Sequence, residues 1–247
     1  MWDRLKLFAP LIAIVVVAVA TGRVAPTFSL IVAGLGIPGW LFIVSRRSQR
    51  GAVVNNRGLT LMSEGRLVEA IAALEEAKGL LVSPLPTFNI GMASLWLWRL
   101  DEARTQLEKS TSTRAGRPLR VIATPALFFV ANVQNDAART TTYEAELKTL
   151  GAERSSVVHI GRAVRFARDR NWREVLNALS LSNTRPLGGP ARAVADALRA
   201  WATVELGGTC PPIDHVGVFG ETGPAAVRVW WPEFADFLER TAGARAT

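Results

Sequence analysis

The chain has 247 residues and a formal net charge of +8, with 29 lysine and arginine residues against 21 acidic ones. Its single cysteine, Cys210, excludes an intramolecular disulfide, and no motif typical of nucleic-acid-binding domains accompanies the positive charge, so an anionic membrane is favoured over nucleic acid as its neighbour. Hydrophobic residues make up 49% of the chain and their excess lies mostly before Ser45, which indicates a membrane segment rather than an unusually apolar core.

Two stretches without charged residues open the chain, residues 7–20 and residues 28–44. Each is near the lower length limit for a helix that crosses a membrane. Because only residues 22–26 separate them, the sequence predicts a transmembrane helical hairpin over residues 1–45. Lysine and arginine flank both ends of this hairpin, which predicts a multi-pass protein of a bacterial-type inner membrane with its soluble part in the cytoplasm. The residues expected at the membrane interface are Trp2, Trp40, Arg46, Arg47 and Arg50.

Two alternative structures for this segment, and one alternative role for the hairpin, stay open. Ala18-Val19-Ala20 resembles the cleavage site of a secretory signal, in which case the second stretch would be a lone anchor. Two buried core helices are a weaker alternative, because neither stretch has a polar face. A structural role is the third, in which the hairpins form a homo-oligomer through Gly34, Gly36 and Gly39.

After a basic linker at residues 46–55, residues 56–75 recur as residues 89–108, with an offset of 33 positions. Such a period is typical of a helical repeat solenoid, so the fold class expected is all-α. The pairs that the two copies share are Asn56/Asn89, Gly58/Gly91, Arg66/Arg99, Leu67/Leu100, Glu69/Glu102, Ala70/Ala103, Leu74/Leu107 and Glu75/Glu108.

The spacing of small and large residues predicts a helix pair in each copy. Gly58 is small where two helices would cross closely, Gly65 would end the first helix, and Ala70 is small where the second helix would meet the first. Leu61, Leu67 and Leu74 would fill the layer between the two helices.

These residues resemble the tetratricopeptide repeat (TPR) family. The small Gly58 and Gly91, the apolar Leu67 and Leu100, and the small Ala70 and Ala103 occupy the positions of the family's pattern. The second copy departs from it, with Trp98 in place of the turn glycine and Ser110 in place of an alanine. The resemblance implies a TPR-like α-solenoid that presents a concave surface to a protein or peptide partner.

Further pairs are expected up to residue 206. Residues 125–147 predict a third pair, with Ala138 lying 35 positions beyond Ala103. Residues 157–169 predict the first helix of a fourth pair, and Trp172 occupies the position of Leu67 in its second helix. Residues 191–206 predict a helix that closes the solenoid. In the last part of the chain, residues 207–247, we expect a loop at 209–223 and an amphipathic helix from Pro232 to Arg240.

Four residues on the first helices are the expected partner-binding surface: Asn56, Arg57, Asn89 and Trp96. An asparagine amide can hold the backbone of an extended peptide. Trp96 and Trp98 are two residues apart and point to different sides of a helix, so we expect one in the core and the other exposed.

The stretch Cys210-Pro211-Pro212-Ile213-Asp214-His215 is the strongest candidate for chemistry, because it places a thiol, a carboxylate and an imidazole close together. It lacks the paired ligand spacing of a zinc site, so no metal, cofactor or catalytic residue is expected. The sequence therefore predicts a non-enzymatic, membrane-anchored adaptor that localises a protein partner. The alternative is a regulatory protein or an enzyme with its site in this loop.

Overall fold

The computed structural model of the chain describes residues 9–17, 19, 26–112, 116–185 and 187–243, with only the backbone for residues 26–35. This part of the chain is helical and contains no strand, which confirms the all-α class. The elements are α1 (residues 9–17), α2 (Pro26–Ser63), α3 (Leu67–Leu80), α4 (Leu85–Trp96), α5 (Leu100–Thr111), α6 (Gly116–Val133), α7 (Ala137–Leu150), α8 (Ser156–Arg168), α9 (Trp172–Ala178), α10 (Leu181–Thr184), α11 (Gly189–Glu205), α12 (His215–Phe219), a 3-10 turn (Gly220–Thr222), α13 (Pro224–Trp230) and α14 (Pro232–Gly243).

The second apolar stretch, the basic stretch and the first repeat helix form a single helix, α2. It has 38 residues, which corresponds to about 57 Å at the rise of an α-helix. Residues 46–55, which the sequence separates as a linker, therefore lie inside a helix. Two contacts fasten this part of α2 to α3: Arg47 Nη2 donates to the carbonyl oxygen of Gly79 at 2.6 Å, and Arg50 Nη2 lies 3.0 Å from Glu76 Oε1.

Helix α1 contacts α2 near Gly36, where an added Cβ would lie 2.9 Å from Cγ2 of Ile14. Of the helices in the described part of the chain, none combines the length and apolar character that crossing a membrane requires. The transmembrane part of the predicted hairpin is thus not supported by the structure. The predicted connection at residues 22–25, and the start of the chain through residue 8, lie outside the described residues.

The same left-handed turn joins the two helices of each of four consecutive pairs. Its central residue is Gly65, Trp98, Asn135 or Arg170, with φ of 78°, 58°, 56° and 56° respectively. In each turn the next amide donates to the carbonyl five residues earlier, for example Arg66 to Leu61 at 3.0 Å and Asn171 to Phe166 at 2.8 Å. This is the Schellman arrangement, which satisfies carbonyl groups at a helix end. We call the side of the stack formed by these four turns the turn edge, and the opposite side, where each pair connects to the next, the loop edge.

The close helix crossing expected at the two repeat glycines is present. A Cβ on Gly58 would lie 2.7 Å from Cγ of Leu74, and a Cβ on Gly91 would lie 2.8 Å from Cγ of Leu107. Both leucines are fully buried. The small residue on the first helix therefore makes room for the large residue on the second, which is the relation that the sequence pattern predicts.

The third pair has a different register from the one expected. Counted from the turns, Ala103 corresponds to Thr140, because Trp98 and Asn135 are the equivalent turn residues. The prediction that Ala138 occupies this position is wrong by two residues. Helix α6 also begins at Gly116, nine residues before the expected start at Pro125. Trp172, in contrast, begins α9 just as Leu67 begins α3.

The chain after α11 returns along the turn edge and covers the second turn. The indole Nε1 of Trp98 donates to the carbonyl of Val218 at 2.8 Å, and Nε1 of Trp230 donates to the carbonyl of Trp98 at 3.0 Å. Thr222 Oγ1 adds a bond to the carbonyl of Leu97 at 3.2 Å. Residues 209–223 are therefore not only a loop as expected, since they contain α12 and the 3-10 turn, and α13 is a helix that the sequence did not indicate.

The closing helix α11 and the amphipathic helix α14 are confirmed. On α14, Phe234, Phe237 and Leu238 are buried, as the apolar face of an amphipathic helix should be. On α11, Trp201 is buried and its ring centroid lies 5.6 Å from that of Phe234. An aromatic layer therefore joins the end of the repeat stack to the C-terminal helix.

Gly91→Ala should destabilise the protein by about 1–3 kcal/mol, because the added Cβ meets Leu107 and its backbone nitrogen in a well-packed layer. Gly79→Ala is the matched control, since a Cβ there has nothing within 4 Å and alanine is the better helix former by up to about 1 kcal/mol. Urea unfolding of both variants measures the difference. Equal stability of the two variants would contradict the close crossing.

Candidate functional site

The four residues expected to bind a partner do not form one accessible surface. Asn56 and Arg57 are exposed on α2. Asn89 is only 8% exposed, and its Nδ2 donates to Oδ1 of Asn55 at 3.2 Å. Trp96 is also 8% exposed, with its ring centroid 6.0 Å from that of Phe129. In this structure Asn89 and Trp96 join neighbouring pairs, and only Asn56 and Arg57 are open to a partner.

The expectation that one of Trp96 and Trp98 is exposed is wrong, because both are buried. A helix can bury two such side chains when it is covered on more than one side. Trp96 packs toward α6, whereas Trp98 lies in the turn and packs under the C-terminal segment through its bond to Val218. The sequence could not indicate this cover, since the partner is 120 positions away.

The stretch from Cys210 to His215 has mainly structural contacts. Asp214 caps α12, where its Oδ1 accepts from the backbone amide of Gly217 at 2.9 Å. The thiol of Cys210 is partly buried and lies 3.4 Å from the carbonyl of its neighbour Pro211. The ring of His215 stacks on that of Phe219 with centroids 6.1 Å apart. Within the described residues, no group of three acidic, cysteine or histidine side chains could hold a metal ion.

A cleft of about 830 Å³ lies on the turn edge, beside the fourth turn, and was not expected from the sequence. It is formed where the turns of the third and fourth pairs meet the end of α11 and the outer face of α14. The lining residues are Asn135, Ala167, Arg168, Asp169, Arg170, Trp172, Trp201, Glu205, Trp231, Glu233, Asp236, Glu239 and Arg240. This volume is within the range of roughly 300–1,000 Å³ typical of ligand sites.

Three indole rings form one wall of the cleft. The ring centroids of Trp172 and Trp201 are 5.0 Å apart, and those of Trp201 and Trp231 are 5.5 Å apart. Trp201 and Trp231 are buried, whereas Trp172 is half-buried and presents part of its ring to the cleft. Partly exposed tryptophan is enriched at the centres of protein interfaces.

Arg168 forms the floor of the cleft. Its Nη2 donates to the carbonyl groups of Val133 and Trp230, at 2.5 Å and 2.9 Å, and its guanidinium lies 5.1 Å from the ring centre of Trp231. Burial lowers the pKa of this guanidinium, and the negative charge of Glu233 acts in the opposite direction. Arg168 thereby joins the third turn to the C-terminal segment, and its role is to hold the cleft together.

Carboxylates and arginines surround the wall of indole rings. Asp236 and Glu239 both pair with Arg228, and Glu205 accepts a hydrogen bond from Nε1 of Trp201 at 3.1 Å. Asp169 and Arg170 lie exposed at the fourth turn. The arrangement offers an aromatic surface with charged groups of both signs at its rim, which suits the side chains of a polypeptide.

Four of the five residues expected at the membrane interface lie on α2, in the first helix pair, whereas the cleft lies beside the third and fourth pairs. Trp2 is outside the described residues, and Trp40 is half-buried. The guanidinium of Arg46 lies 4.7 Å from the ring centre of Phe42. Arg47 and Arg50 hold α3, as described above, and remain exposed.

Comparison of the chain with family models, with curated proteins and with solved structures gives no match.

Asn89→Ala should lower stability by about 1–3 kcal/mol, because it leaves the buried amide of Asn55 without its partner. Asn56 follows Asn55 on α2, but its side chain is exposed. Asn56→Ala should therefore change stability by less than about 0.5 kcal/mol. Thermal unfolding of the two variants distinguishes a structural asparagine from an exposed one. An Asn89→Ala protein as stable as the unsubstituted chain would contradict the structural role.

Proposed function

We propose that this protein is a non-enzymatic adaptor, a TPR-like helical scaffold that binds a protein partner in the cleft on its turn edge. Its N-terminal apolar segment attaches it to a membrane, which brings the partner to the lipid surface. The observation that carries this proposal is the cleft itself, a concave site built from the repeat turns and the C-terminal helix, with Trp172 in its wall.

The stack of helix pairs supports a binding role. Such scaffolds present rigid, extended surfaces on which a few side chains supply most of the affinity. In this chain the turns of the third and fourth pairs supply Asn135, Asp169 and Arg170 to the cleft. Tryptophan and arginine are the residue types most often found at the energetic centre of protein interfaces. Asn56 and Arg57 lie on α2 and would contact only a partner that extends well beyond the cleft.

Exposed apolar side chains near the beginning of the chain support membrane attachment. Leu41, Phe42 and Ile43 are 53%, 59% and 65% exposed on α2, and Val16 and Val19 are 59% and 65% exposed before it. A group of large apolar side chains on the surface indicates contact with another molecule or with lipid. Lipid is favoured because Arg46, Arg47 and Arg50 follow immediately, and cations of this kind bind anionic headgroups.

A photo-crosslinking amino acid in place of Glu233, at the rim of the cleft, should give one discrete protein adduct in cells that express the full chain. The same amino acid in place of Glu221, which is exposed and outside the cleft, should not. Trp172→Ala should abolish the adduct. Trp172→Phe should largely preserve it, because the wall of the cleft binds the partner through an aromatic ring. Denaturing electrophoresis with a tag on the chain measures each adduct.

The melting temperature of each Trp172 variant controls for folding. Adduct formation of equal strength at positions 221 and 233, or an adduct that Trp172→Ala leaves unchanged, would contradict partner binding in the cleft.

The triple variant Leu41→Gln, Phe42→Gln and Ile43→Gln should bind lipid vesicles at least tenfold more weakly than the unsubstituted chain. Each apolar side chain gains about 1.5–3 kcal/mol on leaving water. The matched control is Leu59→Gln, Val68→Gln and Val229→Gln, which removes three exposed apolar side chains from the repeats and the C-terminal segment instead. Flotation with phosphatidylcholine and phosphatidylglycerol vesicles measures binding. Equal loss in both triple variants would contradict attachment through the N-terminal segment.

A further inference from the structure

The second helices of the pairs all run in one direction, from the turn edge to the loop edge. Each begins at a turn, and α3, α5 and α7 end on the loop edge at Leu80, Thr111 and Leu150. The ion pair between Arg120 and Glu146 joins the start of α6 to the end of α7 and confirms that these ends lie together. The charges in the last turns of these helices are therefore gathered on one side of the stack.

The loop edge contains carboxylates, but its cations outnumber them. Lys78 pairs with Glu75, Arg50 with Glu76 and Arg120 with Glu146, and Glu108 and Glu153 also lie on this edge. The last turns of α3, α5 and α7 contain Lys78, Lys109 and Lys148. Lys109 and Lys148 are exposed, and neither has an acidic partner in the part of the chain that the structure describes. Arg117 in the first turn of α6 and Arg154 just before α8 are exposed on the same edge and likewise unpaired within that part.

The helix dipole accounts for only half of this pattern. A cation in the last turn of a helix is stabilised by the dipole, which suits the three lysines. A cation at the start of a helix is disfavoured by the dipole, yet Arg117 and Arg154 lie at such positions. Positive charge is thus present on the loop edge even where the helices themselves do not favour it, which points to an anionic surface outside the protein.

The turn edge has a different charge pattern. Its cations alternate with carboxylates, for example in the pairs Arg66–Glu69 and Asp136–Arg139, and the cleft adds further acidic groups at Asp169 and Glu233. An anionic surface would therefore attract the loop edge more strongly than the turn edge.

Helix α2 places the loop edge beside the apolar segment. It enters the stack at the loop edge, where Arg47 and Arg50 contact the end of α3, and reaches the turn edge at Ser63. From Arg50 to Ser63 the helix rises about 20 Å. The exposed Leu41, Phe42 and Ile43 precede this entry point on the same helix, so the loop edge is the side of the stack nearer to them.

We propose that the loop edge lies against the anionic headgroups of the membrane and forms a second lipid contact, which leaves the turn edge and its cleft facing away from the lipid. Val82, just after α3, and Leu85, the first residue of α4, are 51% and 49% exposed and add apolar contacts to this surface. The proposal rests on the proposed membrane attachment and adds to it an orientation.

An environment-sensitive fluorophore tests this orientation in the full chain. One protein contains Val82→Cys together with Cys210→Ser, so that the dye is on the loop edge; the other contains the dye on the native Cys210, after α11. With vesicles of phosphatidylcholine and phosphatidylglycerol, the emission of the dye at position 82 should shift to the blue and that at position 210 should not. With phosphatidylcholine alone, the shift at position 82 should be much smaller.

A charge-matched pair of variants identifies the cause. Arg117→Gln, Lys148→Gln and Arg154→Gln should weaken the contact at position 82 by roughly fivefold for each cation that touches the lipid. Arg99→Gln, Arg170→Gln and Arg173→Gln remove the same charge near the turn edge and should leave the contact unchanged. Flotation of the same samples reports attachment separately.

Protein that floats with vesicles but shows no blue shift at position 82, or an equal shift at positions 82 and 210, would overturn the orientation while leaving the attachment standing. Protein that does not float would overturn both the attachment and the orientation. Equal weakening by the two sets of arginine and lysine substitutions would show that total charge, not the loop edge, decides the contact.

Discussion

The left-handed turn that closes each helix pair is the constraint on which the rest of the architecture depends. A left-handed residue costs roughly 1–2 kcal/mol for any amino acid with a Cβ, yet only Gly65 among the four turn residues avoids this cost. At the second turn, tertiary contacts offset this cost: the ring of Trp98 is buried, and its backbone carbonyl and its indole both form hydrogen bonds. Asn135 is a residue type that tolerates this conformation. The turn is therefore maintained by tertiary contacts as well as by residue type.

Because all four turns lie on one side, that side becomes the place where distant parts of the chain meet. The C-terminal segment packs on the second turn through Val218 and Trp230, and Arg168 joins the third turn to Trp230. A partly buried guanidinium such as that of Arg168 needs acceptors, and the two carbonyl groups that it contacts are free to accept because they stand at the ends of helices. The carbonyl groups at the ends of two helices thus hold Arg168, which fixes the cleft. The position of the cleft therefore follows from the geometry of the repeats.

The sequence correctly predicted the helix contacts that depend only on the spacing of residues within one repeat. The relation between Gly58 and Leu74, repeated in Gly91 and Leu107, requires only that a small residue face a large one, and its period was visible. The third pair was misplaced by two positions because Thr140 stands where the earlier pairs have alanine, so the small-residue signal is lost there. The cleft depends on contacts between residues such as Trp172, Trp201 and Trp231, which are far apart in sequence and share no motif. The high tryptophan content, eight residues in all, is the sequence feature that could have suggested an aromatic cluster.

Because α2 is continuous, the orientation of the repeats is coupled to that of the N-terminal apolar segment. A flexible linker at residues 46–55 would let the repeats rotate freely, and their charges alone would decide which side faces a lipid surface. In the structure these residues are helical and are fastened to α3 by Arg47 and Arg50, so rotation about the linker requires these contacts to break. The helix and the charges on the loop edge act independently of each other. Both support the proposed orientation, in which the apolar segment and the unpaired cations lie on one side and the cleft on the other.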